Sequence, residues 1–138
     1  MSVLGPWSHE TELPAEASSA ARARAFVTDV LRNHELGHVV DDVELAVSEL
    51  ATNALVHAGT RFTVIVSAFE DTVFLEVLDG SQHGPNPGVS LASDTSGRGI
   101  TVVQAVSRDW GVIERGSDGK SVWAAFDAVP VVPPALQV

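Results

Sequence analysis

At 138 residues the chain has the length of one domain, and its 18 acidic residues against 8 basic ones give a formal net charge of −10. That charge opposes sequence-independent binding to a phosphate backbone, and the absence of cysteine excludes disulfides, thiolate metal sites and cysteine catalysis. No apolar run is long enough to span a bilayer and no basic-then-apolar leader opens the chain, so composition predicts a cytoplasmic protein with a protein or small-molecule partner, no direct nucleic acid and no membrane.

Residues 1–13 mix Gly5, Pro6, Trp7 and acidic residues without a period and are predicted to be a tail or an edge segment, in which Trp7 and Leu13 could still pack on the body. Residues 129–138, with three prolines, are predicted to be a second tail, which leaves 14–128 as the folded domain. Ala15 to about Glu35 has helical spacing in Phe26, Val30 and Leu31, with Pro14 near its first turn and Gly37 as its stop. Asp41 or Asp42 can cap a second helix that runs to His57, where Gly59 supplies the C-terminal cap. Arg61–Glu70 and Thr72–Asp79 alternate as strands and predict an antiparallel hairpin with Asp71 in the turn. Gly80–Ser96 then reads as a long irregular loop of the kind that often forms a functional lid. Gly97-Arg98-Gly99 leads into a helix over Ile100–Ser107, and strands Asp109–Arg115 and Lys120–Ala128 close the chain around a Gly116–Gly119 turn. The order α-α-β-β-loop-α-β-β predicts an α+β two-layer sandwich, a mainly antiparallel sheet with helices on one face.

The second helix carries the densest chemical signal. At about 100° per residue, Glu49, Asn53 and His57 fall at roughly 80°, 120° and 160° from Asp41 and form one polar stripe. Val43, Val47, Leu50 and Ala54 make the core face, while Asp41, Glu44, Ser48 and Thr52 make the solvent face. A second polar stripe flanked by Leu45 and Val56 suggests the lining of a cleft, although i, i+4, i+8 polar residues can also be the wet side of an amphipathic helix. Asp79 ends a buried-looking strand, where a carboxylate needs a donor: the amino group of a purine, or the turn at Gly80-Ser81. Gly97 and Gly99 can admit an anion to a helix N-terminus with Arg98 adding a charged fork, or can be an ordinary glycine-rich helix entry. The histidines show no zinc spacing and no nucleophile elbow is present, whereas Mg2+ shared with nucleotide phosphates needs from the protein only an amide such as Asn53.

These residues, in this order, resemble the motifs of the GHKL (Bergerat-fold) ATPase superfamily. Glu49…Asn53…His57 resembles the N box, Asp79 and the following turn the first glycine box, and Ser96–Ile100 with Val102–Val112 the second glycine box; Asp118–Phe126 looks like the last strand. Closest in pattern are the small bacterial anti-sigma-factor serine kinases and their actinobacterial relatives, over about residues 15–127. The resemblance implies ATP and Mg2+ as cofactors, with Asn53 on the metal and Glu49 as general base toward a serine hydroxyl. It also implies Asp79 on the adenine amino group, Ser81 as a donor there, Gly97, Arg98 and Gly99 at the phosphates, and Ser121 near the adenine. The implied function is a serine/threonine protein kinase that phosphorylates an anti-sigma antagonist, sequesters a sigma factor and forms a homodimer. Ser81 and His83 stand where the superfamily tends to have glycine, which leaves as an alternative a signalling module that binds partners without catalysis; a sensor histidine kinase domain is a more distant one.

Overall fold

The computed structural model describes residues 4–80 and 95–128. Period-two alternation lays Phe62–Glu70 down as strand β2, with Phe62, Val64, Val66 and Ala68 turned to one side and buried. Strand β3, Thr72–Asp79, pairs antiparallel with it from Phe69↔Thr72 to Phe62↔Asp79. Only Glu70 and Asp71 remain for the turn, and Glu70 takes φ 56° to close it. Strand β5, Lys120–Asp127, lies on the other side of β3, and β4, Asp109–Glu114, lies outside β5.

The first segment is a strand. Leu4–Leu13 forms β1, which pairs antiparallel with β2 and completes a five-stranded sheet in the order β1-β2-β3-β5-β4. Pro6, which has no N–H to give, falls in the irregularity between the Leu4 and Trp7 pairings, at a sheet edge where that loss is tolerated. From Trp7 onward the register is regular, so Trp7, His9, Thr11 and Leu13 share the face of Ala68, Val66, Val64 and Phe62.

Helices α1 (Ser19–Asn33), α2 (Val40–Asn53) and α3 (Thr95–Val106) pack on that face and give the predicted α+β two-layer sandwich. Val27, Leu31, Val43, Val47 and Val103 meet Val64, Val66, Val73 and Leu75, all fully buried. Each such side chain contributes about 1.5–3 kcal/mol by leaving water. Among the described residues no helix is long and apolar enough to cross a membrane.

Helix ends depart from expectation in four places. α1 starts beyond a turn in which the buried Ser19 hydroxyl donates to the Pro14 carbonyl at 2.7 Å. It stops at Glu35, φ 59°, where Leu36 N–H donates to Leu31 O at 2.7 Å and Glu35 N–H to Arg32 O at 3.0 Å. This is a Schellman stop with buried Leu31 and Leu36 as its apolar contact, and Gly37 instead opens a 3-10 turn, Gly37–Val39. Neither Asp41 nor Asp42 caps α2, which has Val39 at its N-cap; both occupy the first turn, where they complement the helix dipole. α3 begins at Thr95, so Gly97-Arg98-Gly99 lies within its first turns and not ahead of it.

An aromatic clasp ties β1 to α1. Trp7 stacks on His34 with ring centroids 3.8 Å apart and planes 6° from parallel, and His34 Nε2 lies 3.0 Å from His9 Nε2. Burial holds the His34 pKa below its ordinary 6.5, and the neighbouring His9 adds to the shift. A depressed native pKa means that the unfolded chain protonates first, so this contribution is complete above pH 6.5 and is lost as pH falls through and below it. Urea unfolding at about pH 7.5 and about pH 5.5 should show a larger loss for the wild type than for His34→Gln. Equal losses would mean that the clasp does not couple folding to protons.

Candidate functional site

One end of the sandwich carries Asn53 on α2 and Asp79 on β3. α2 passes at Asn53 into a single wider turn, Ala54–Ala58, closed by Gly59 N–H donating five residues back to Ala54 O at 2.9 Å, with Gly59 at φ 63°. Such π turns recur at functional sites. Three residues later the chain enters β2 at Phe62, whose partner across the ladder is Asp79. Gly80 N–H then donates to the Thr60 hydroxyl at 2.8 Å and stitches the two segments together. Connectivity therefore brings the C-terminal end of α2 and the end of β3 to the same end of the fold.

On α2, Glu49 and Asn53 are both half-buried, one turn apart, beside the core row of Ala46, Val47, Leu50 and Ala54. His57 lies in the wide turn and is exposed. Leu45 and Val56, expected to flank a cleft, are 45% and 66% exposed. The structure thus keeps the acid and the amide half-buried, one turn apart on α2.

Asp79 ends the central strand of the sheet, and its side chain is only 6% exposed. It continues the inward row of Val73, Leu75 and Val77, where an ionised carboxylate requires polar partners. One is Lys120, whose Nζ lies 3.8 Å from Asp79 Oδ2. The Asp79↔Lys120 ladder pair puts both on the helix-facing side.

Ser121 does not join them. Next along β5, it points through the opposite face of the sheet, where its hydroxyl donates to the Glu76 carboxylate. A shift of one residue along a strand exchanges faces, so Ser121 lies on the face opposite Asp79 and Lys120 holds the inward position. The pattern was readable: Val122, Ala124 and Phe126 are the inward residues of β5, and Lys120 is in phase with them.

Gly97, Arg98 and Gly99 lie at the start of α3, while the Arg98 side chain and the whole of Ser81 fall outside the described residues, as does most of the expected lid, 81–94. Among the described residues no three acidic or histidine side chains converge to hold a metal. A cation here would rest on the Asn53 amide together with ligand oxygens. A buried acceptor with an ammonium beside it suits the edge of a nucleobase, and a half-buried amide suits such a shared cation, so the residues present fit a metal nucleotide.

A five-stranded antiparallel sheet layered by three helices, with acid, amide and buried carboxylate at one end, defines an ATPase domain of the GHKL type. The chain matches the histidine kinase-like ATPase domain over residues 13–126 and belongs to that family, which implies a nucleotide as ligand. No curated protein matches the chain.

Proposed function

We propose that the chain is an ATP-binding serine/threonine protein kinase of the anti-sigma-factor type, which phosphorylates an anti-sigma antagonist and sequesters a sigma factor. The observation that carries this reading is Glu49 one turn from Asn53 on α2, both half-buried at the end of the fold where Asp79 is buried. Nucleotide binding alone requires no carboxylate beside the amide; a proton acceptor for a hydroxyl does.

Asn53 would hold Mg2+ through its amide oxygen, and Asp79 would accept from the adenine amino group. Bound Mg2+-ATP supplies the γ-phosphoryl group with part of its charge neutralised. Glu49 accepts the proton of the attacking serine hydroxyl. The backbone at Gly97 and Gly99, with Arg98, would face the phosphates at the start of α3. Phosphoryl transfer is mainly positioning and charge neutralisation, so this small set of groups is sufficient. The formal charge of −10 favours basic protein surfaces as partners, and a homodimer would present two such surfaces to them.

Incubation with γ-labelled ATP, Mg2+ and the cognate antagonist tests the reading. Label should appear on an antagonist serine and fall by about 100-fold or more in Glu49→Gln, with ATP affinity retained. Equal transfer by Glu49→Gln removes the base from the mechanism. No transfer by the wild type, with antagonist still bound, leaves a binding module without catalysis.

A further inference from the structure

We propose that Lys120 is half of the device that reads the nucleobase: its ammonium donates to the adenine ring nitrogen adjacent to the amino group that Asp79 accepts from. The proposal rests on the nucleotide reading above and assigns a residue that the family resemblance did not point to.

Three observations carry it. First, β5 presents inward only Lys120, Val122, Ala124 and Phe126, so Lys120 is its one polar side chain on the face of Asp79. Ser121 is committed to Glu76 across the sheet. Second, Lys120 Nζ and Asp79 Oδ2 are 3.8 Å apart, an ion pair too long for a direct hydrogen bond between these two atoms. An ammonium has three donors and a carboxylate only accepts, so the pair sets donors beside an acceptor. Third, the root of Lys120 is fixed. Gly119 packs directly on the Asp79 carbonyl, so the backbones that carry the two charges are held at one spacing.

The Watson–Crick edge of adenine offers the complementary pattern, an amino donor next to a ring-nitrogen acceptor. A carboxylate alone satisfies half of that edge and leaves the ring nitrogen to water. The ammonium satisfies the other half, and a nucleotide that lacks the ring nitrogen should lose that contribution.

Titration calorimetry with Mg2+ compares ATP with 1-deaza-ATP, in which that nitrogen is a C–H group. The wild type should bind 1-deaza-ATP about tenfold or more weaker than ATP, as expected for a charge-assisted hydrogen bond. Lys120→Met should bind ATP weaker by a similar factor and no longer distinguish the two, while Lys120→Arg, which keeps a donor, should recover part of the discrimination. Circular dichroism on each variant confirms folding. If Lys120→Met weakens both nucleotides equally and keeps the wild-type discrimination, the lysine acts only through the charge of Asp79 and the proposal fails. If Lys120→Met binds ATP as tightly as the wild type, it also fails. Failure of the wild type to bind either nucleotide overturns the nucleotide reading itself and this assignment with it.

Discussion

Gly119→Ala is expected to unfold roughly 10 °C below the wild type, a loss of roughly 2–4 kcal/mol, and to lose nucleotide binding even where it remains folded. Gly119 sits at φ 99°, ψ −151°, a backbone region essentially confined to glycine, for which any other residue pays about 1–3 kcal/mol. Space compounds the strain. An added Cβ would overlap the Asp79 carbonyl oxygen and lie 3.1 Å from its carbon and 3.2 Å from Gly80 Cα, all of them backbone atoms that no rotamer can move. The β4–β5 connection must approach that closely because Arg115 N–H donates to Gly119 O at 2.7 Å and Lys120 pairs immediately afterwards with Asp79. Relief therefore shifts the strand end that carries Asp79. Gly116→Ala is the internal control: φ is 59° there, but nothing lies within 4 Å of an added Cβ, so only the left-handed penalty of about 1–2 kcal/mol applies. Thermal unfolding of the two variants side by side separates strain from contact, and equal losses would show that the Asp79 backbone yields easily.

The parts of this fold legible in the sequence are those in which one force dominates. The β2–β3 hairpin was readable because Phe62, Val64, Val66 and Ala68 alternate with half-buried residues and no polar side chain interrupts the inward row. β1 has the same period, but its inward set of Trp7, His9, Thr11 and Leu13 is half polar and Pro6 breaks its start, so hydropathy carries no signal for a strand that is held by the β2 backbone and the His34 stack. Helix limits failed for a related reason: Glu35 in a left-handed conformation stops α1 through backbone bonds and the Leu31–Leu36 contact, where composition points to Gly37. Of the candidate site, Glu49, Asn53 and Asp79 were legible as polar residues in apolar surroundings. His57 lies in the wide turn, where α-helical phase no longer applies, and Ser121 lies on the opposite face of β5 from Lys120, a distinction that motif similarity does not carry and strand alternation does.

Asp79→Ala should weaken Mg2+-ATP binding by about 100-fold or more and lower stability by about 1–3 kcal/mol, two losses with different causes. Binding falls because the charge-assisted hydrogen bond from the amino group of the base to Asp79, about 1.5–3 kcal/mol, disappears and the Lys120 ammonium beside it loses its counter-charge. Stability falls because Lys120, 21% exposed, loses the carboxylate 3.8 Å away and keeps its desolvation cost; its residual contact with water keeps this below the 3–5 kcal/mol of a fully buried pair. Adding Lys120→Met to Asp79→Ala removes the stranded charge, so the double variant should be more stable than Asp79→Ala while binding ATP no better. Urea unfolding and calorimetry on the two single variants and the double variant close the cycle. Stability restored without affinity would separate the stranded charge, which acts on the fold, from the contacts of Asp79 and Lys120 with the base. Wild-type affinity in Asp79→Ala would instead place the nucleobase away from the end of β3.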